Sequence, residues 1–164
     1  MEATRLAELL RALVRHRVEF VLVGGGAAVL AGAAFTTEDL DVVPSFDPEN
    51  LDRLIGALEE LDATYVDPAG RRIAPTRERL ESHRLHLLRT RLGRLDVLHR
   101  VEPGLDYLQL VERSSWVEVE ELRIRTLDLD ALIESKEATG RDKDRAHLLI
   151  LHELRRLRRA RDGD

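Results

Sequence analysis

Two aspartates one residue apart, Asp39 and Asp41, follow three consecutive glycines, Gly24, Gly25 and Gly26, within the stretch VLVGGGAAVLAGAAFTTEDLDVV. Both features suit phosphate chemistry. Glycine removes the side chain, so backbone N–H groups at the start of a helix can approach a phosphate. Side chains alternate along an extended strand, so Asp39 and Asp41 share one face while Leu40 and Val42 face the core. Two strand rises place the aspartate α-carbons about 6.6 Å apart, close enough for the carboxylates to converge on one or two divalent ions. Magnesium favours hard carboxylate oxygens and takes substrate phosphates among its other ligands. The glycines and the carboxylates are therefore complementary. Each also has a plain structural reading: a tight strand-to-helix turn, and a strand start with two solvated acids.

A two-metal site for phosphoryl chemistry wants a third carboxylate. Asp96, in RLGRLDVLHRV, is the candidate, because Leu95 and Val97 alternate with it onto an apolar face. An acid in a central strand needs a partner, and a buried salt bridge to an arginine is the alternative to a metal. The cations carry a signal of their own. The chain has 24 arginines and only two lysines, Lys136 and Lys143. Lys136, Arg141 and Lys143 surround a helix break at Gly140, where a cation cluster can neutralise phosphate charge near the carboxylates. A lysine is a compact point charge where a guanidinium fork would not fit. The alternative is a solvated junction with Lys143 and Asp144 exposed.

Other motifs are excluded by spacing. No GK[ST] follows the glycines, so a P-loop fails. A dinucleotide fingerprint needs GxGxxG, and counting from Gly24 gives Gly24, Gly26 and then Val29. His83 and His86 have opposite strand parity, and His147 and His152 lack the i, i+4 spacing of a zinc pair. Trp116 is assigned to the core. The arginine-rich tail RRLRRARDGD reads as a solvated helix end, with RNA or partner contact as the alternative.

The elements that must position these residues follow from periodicity. Leu6, Leu9, Leu10, Leu13 and Val14 predict a helix over residues 3–16. A buried strand over 18–23 runs into the glycines, then a short helix over 27–33 and a strand over 40–43. Asp47-Pro48 opens a helix to about Leu61. Tyr65 and Val66 suggest an edge strand, and 67–82 a loop with a helical turn. Residues 85–90 and 94–101 flank a turn at Gly93 and predict a hairpin. Residues 104–113 read as helix, 116–119 and 122–126 as a strand or hairpin, and 128–139 as a helix closed by Gly140. A last helix runs from 142 to about 159. The start is α/β-like and the whole is α+β: a mixed sheet flanked by helices with a C-terminal helical segment.

At 164 residues with 43% apolar content, a single domain is expected over 1–164, with a core over 18–102 and a mostly helical extension over 103–164. A net charge of −5 argues against unselective coating of nucleic acid while leaving room for local basic patches. The absence of cysteine excludes disulfides and thiolate chemistry. No apolar run reaches the length of a membrane span, and the N-terminus reads as an amphipathic helix, so a cytoplasmic protein is expected.

The ordered set GG, Gly32, then Thr37, Asp39 and Asp41, then a later strand aspartate resembles the nucleotidyltransferase superfamily typified by DNA polymerase beta. It looks most like small bacterial nucleotidyltransferase-like proteins, many linked to toxin and antitoxin systems. The segment LDLDALIESKEATGRDKDRAHL resembles the "K, small residues, GR, KD" stretch of those proteins. The resemblance implies Gly24, Gly25 and Gly26 with Thr37, Arg141 and Lys143 at a nucleoside triphosphate. It implies Asp39, Asp41 and Asp96 on Mg2+, Lys136 in the catalytic set, and Asp96 taking a proton from the attacking hydroxyl. The activity implied is transfer of a nucleoside monophosphate to an acceptor hydroxyl on RNA, protein or a small molecule, with release of pyrophosphate. Relatives often carry arginine where this chain has Phe35. That departure keeps a second reading open, a non-catalytic nucleotide- or partner-binding protein such as an antitoxin-like component.

Overall fold

A computed structural model describes residues 3–163. The amphipathic N-terminal stretch and the arginine-rich tail extend to Met1, Glu2 and Asp164, which lie outside the described residues. Helix α1 (Ala3–Arg15) buries Leu6, Leu9, Leu10 and Leu13 on one stripe. Strand β1 (Phe20–Val23) is buried throughout and begins two residues later than expected. Helix α2 (Gly24–Leu30) starts at the glycines themselves, three residues before the expected position. Strand β2 (Asp39–Pro44) follows, then α3 (Pro48–Glu60), which has Pro48 in its first turn and buries Leu51, Leu54 and Leu58.

The middle of the chain holds β3 (Thr64–Tyr65), α4 (Arg77–Ser82), β4 (Leu85–Thr90) and β5 (Gly93–Leu98). The expected helical turn in 67–82 is α4, capped by the Thr76 hydroxyl accepting from the Arg79 N–H at 3.2 Å. The segment expected as helix over 104–113 is divided. A small ribbon of β6 (Arg100–Val101) and β7 (Leu105–Asp106) precedes α5 (Tyr107–Glu112). Asp106 closes a capping box with Gln109, which sets where that helix starts. The hairpin β8 (Ser114–Val119) and β9 (Leu122–Leu127) leads to α6 (Leu129–Thr139) and α7 (Asp142–Asp162).

The main sheet has the order β3-β4-β5-β2-β1-β9-β8. Strands β2 and β5 are parallel, as are β1 and β9, while β1 and β2 are antiparallel. The C-terminal hairpin is thus part of the same sheet as the N-terminal strands, and the sheet runs unbroken across position 103. Alternation along these strands gives the sheet two distinct faces. Leu22, Leu40, Val42, Leu88, Leu95, Val97 and Ile124 share one core with the leucines of α1 and α3. Asp39, Asp41 and Asp96 project from the other face.

Trp116 is not a core residue. It is 52% exposed on the edge strand β8, where its indole lies against Arg123 and Arg125. Among the described residues no helix is long and apolar enough to cross a membrane.

Candidate active site

Parallel pairing of β2 with β5 sets Asp41 opposite Asp96 and Asp39 opposite Arg94. Asp39, Asp41 and Asp96 each offer a carboxylate oxygen, and the three atoms lie within 4.8 Å of one another. Asp96 is nearly buried, and Arg94 holds it through an N–H donated to its carboxylate at 3.1 Å. The salt bridge weighed as an alternative to a metal role is therefore present, and it coexists with the cluster. Burial pushes the Asp41 carboxyl up to about 7, helped by the neighbouring charges of Asp96 and Asp39 and opposed by Lys136. Burial also raises Asp96, with Arg94 pulling the other way. Three carboxylate oxygens converging this closely form a hard-ligand set suited to a divalent cation, which would relieve their mutual repulsion.

The glycines fit tightly beneath this cluster. Gly24 has φ of 63°, and a Cβ there would collide with the Asp41 carboxylate. A Cβ on Gly25 would stand 2.6 Å from the Thr37 hydroxyl oxygen. That hydroxyl donates to the Asp39 carbonyl at 3.0 Å and so ties the loop before β2 to the start of the strand. Gly26 has a different role. A Cβ on it would meet Leu22 and Leu40 at 3.3 and 3.4 Å, so its open side is turned to the core, and it does not line the cleft.

Above the glycines opens a cleft of about 540 Å³. Gly24, Gly25 and Asp41 line one side, and Lys136, Thr139 and Arg141 the other. The cations are held from behind by Asp144, which is 2% exposed. Its carboxylate accepts from Lys136 Nζ at 3.2 Å, the Thr139 hydroxyl at 2.8 Å and Arg141 Nε at 2.8 Å. Burial pushes this carboxyl up, but Thr139, Arg141 and Lys136 together outweigh burial and hold it at about 2. Asp144 is thus buried, contrary to a solvated junction with Asp144 exposed. Gly140, at φ of 63°, ends α6 in the left-handed region and folds the first turn of α7 back onto its last turn.

Lys143 is not brought to the cleft; it is exposed on the first turn of α7. Asp144, Thr139 and Arg94 went unassigned in the sequence. The available signal was an acid in the first turn of a helix that follows a glycine stop. Phe35 stacks on His147 with ring centroids 4.1 Å apart and planes at 9°.

A mixed sheet that gathers three carboxylates beside a glycine turn and a pair of held cations defines a nucleotidyltransferase-like protein. The chain belongs to the family described as nucleotidyltransferase of unknown function (DUF6036), which matches residues 2–152. No curated protein matches the sequence. Solved structures share the fold at low identity. The lincosamide antibiotic adenylyltransferase LnuA, bound to lincomycin, superposes with a TM-score of 0.65 at 16% identity, covering 94% of this chain and 98% of its own. A candidate nucleotidyltransferase, TM1012 from Thermotoga maritima, gives 0.57 at 16% identity over 100% and 97%. The antibiotic-resistance factor ANT(2'')-Ia gives 0.55 at 15% identity over 98% and 92%.

Proposed function

We propose that this protein is a magnesium-dependent nucleotidyltransferase. It moves a nucleoside monophosphate from a nucleoside triphosphate to an acceptor hydroxyl and releases pyrophosphate. One observation carries this reading: three carboxylate oxygens lie within 4.8 Å of one another, and Asp41 of that cluster lines a cleft together with Gly24, Gly25, Lys136 and Arg141. Asp39, Asp41 and Asp96 would hold the metal, whose charge neutralises the triphosphate and the charge that develops during transfer. The backbone at Gly24 and Gly25 leaves room for phosphate oxygens. Asp96 takes the proton of the acceptor hydroxyl as its oxygen bonds to the α-phosphorus. The bond from that phosphorus to the β-phosphate oxygen breaks, and Lys136 and Arg141 neutralise the departing pyrophosphate.

The antibiotic adenylyltransferase among the structural relatives supports adenosine triphosphate as the first donor to try and a small molecule as the first acceptor class. RNA and protein acceptors remain within the same chemistry. The cytoplasm supplies the triphosphate. A toxin or antitoxin partner rests on the sequence resemblance alone. The retained carboxylates and the held cations support catalysis over a purely binding role.

The test incubates the protein with Mg2+ and triphosphates labelled at either the α- or the γ-phosphate, beside small hydroxylated molecules, total RNA and proteins. The expected result is α-label on an acceptor, with one pyrophosphate released per label transferred. Movement of γ-label, or no transfer to any acceptor, overturns the reading.

A further inference from the structure

A second cleft, of about 310 Å³, lies at the end of β1 away from the glycines. It is lined by Trp116, Arg123, Arg125, Arg17, Tyr107 and Glu19, with Val14, Val18 and Phe20 completing its wall. Trp116 is the chain's single tryptophan and is 52% exposed. Arg125 is its direct partner across the β8–β9 ladder, and Arg123 lies two residues further along the same face. Both guanidiniums lie over the indole, with Arg123 Cζ 4.9 Å and Arg125 Cζ 4.4 Å from the ring centroid. Arg125 is fixed further by N–H bonds to the Val111 carbonyl at 3.4 Å and the Ser114 hydroxyl at 3.3 Å.

Nearby arginines are committed to carboxylates: Arg11 pairs with Glu120, and Arg113 with Glu134. Among the described residues, none of Arg17, Arg123 and Arg125 has a carboxylate within ion-pair distance, although Glu118 faces Arg123 across the ladder and Glu19 lines the cleft. Three guanidiniums without a carboxylate partner beside a half-exposed indole present two kinds of recognition together. Guanidinium forks match phosphate oxygens. A flat aromatic surface stacks nucleobases of any sequence.

We propose that this cleft binds single-stranded nucleic acid, with phosphates on Arg17, Arg123 and Arg125 and a base against the open side of Trp116. An acidic peptide would satisfy the arginines but leave the indole unused, so the observations favour nucleic acid. The net charge of −5 argues against unselective coating and for contact through a local basic patch such as this one. The proposal goes beyond nucleotidyl transfer and does not depend on it, because the cleft contains none of the three clustered aspartates.

The single indole makes the test direct. Trp116 fluorescence is followed during titration with a uridine octamer RNA, and separately with uridine monophosphate, inorganic phosphate and an oligoglutamate peptide. Saturable quenching by the octamer is expected at low salt. With two or three phosphates neutralised, affinity should fall with a log–log salt slope of about −1.4 to −2.1. Arg123→Ala and Arg125→Ala should each weaken the octamer about threefold or more, Glu19→Gln should tighten it, and Asp41→Asn should leave it unchanged. Because Arg125 also holds the backbone of α5, Arg123→Glu supplies a second variant on a side chain without those bonds. Anisotropy of a labelled octamer on Trp116→Leu separates stacking from charge, and weaker binding there is expected. The proposal is overturned if the octamer neither quenches nor binds, if Arg123→Glu binds it as wild type does, or if the monophosphate or the peptide binds as tightly as the octamer.

Discussion

Asp144 is the residue whose loss should reveal how the cations are held. It is buried against Lys136, Thr139 and Arg141, and its carboxyl stands at about 2 against an ordinary value of 3.8. A depressed carboxyl contributes stability that is present above the unfolded value and lost as the pH falls through the folded one. The relevant window is therefore pH 4 down to 2. Asp144→Asn should lower stability by about 2 kcal/mol at neutral pH and flatten the decline of stability across that window, measured by urea unfolding at several pH values. Lys136→Ala should weaken nucleotide binding about tenfold by calorimetry. It should also lower the melting temperature, because it leaves part of the buried Asp144 charge uncompensated. Lys143→Ala, on an exposed side chain, should do neither. The carboxylate cluster was legible in the sequence because period-two alternation places Asp39 and Asp41 on one face whatever the rest of the chain does. Asp144 was not, because its burial depends on how Gly140 folds one helix back onto another.

At the level of elements, the turn from β1 into α2 controls access to the cleft. Gly25 lies under the Thr37 hydroxyl, so any added carbon must push on the loop that sets the start of β2. Gly25→Val should cost about 1–3 kcal/mol in overpacking, a fall of several degrees in melting temperature, and should weaken triphosphate binding in calorimetry. Binding undiminished in that variant would place the phosphates elsewhere. Helix and strand identities were readable wherever one stripe or one face is apolar, as in α1 and β2. They were not readable over 104–113, where the Asp106–Gln109 capping box starts α5 only after β7 has formed. The expectation of Trp116 in the core fails because edge position and cross-strand arginines decide its exposure, and both depend on topology.

Across the whole molecule, the sheet is complete only with the C-terminal hairpin. Leu22 of β1 pairs with Thr126 of β9, a contact that no local pattern announces, and Leu127, Lys136 and Arg141 of the cleft all follow it in the chain or adjoin it. A fragment of residues 1–102 would leave the edge of β1 unpaired and lack the cation side of the cleft. It should be aggregation-prone and bind no triphosphate, as checked by size-exclusion chromatography and calorimetry. Conversely, an intact chain with a single carboxylate changed to amide should keep its fold and lose its chemistry. The measurement that bears most directly on the account is therefore transfer of α-labelled nucleotide by wild type beside Asp39→Asn, Asp41→Asn and Asp96→Asn, each first shown to be folded. Loss of a carboxylate ligand removes several kcal/mol of transition-state stabilisation, so each variant should fall at least about a hundredfold below wild type. Asp96→Asn should retain nucleotide binding best, since a residue that activates the acceptor matters mainly in the transition state. Transfer by any folded variant at the wild-type rate would contradict the claim that these three carboxylates form the catalytic centre.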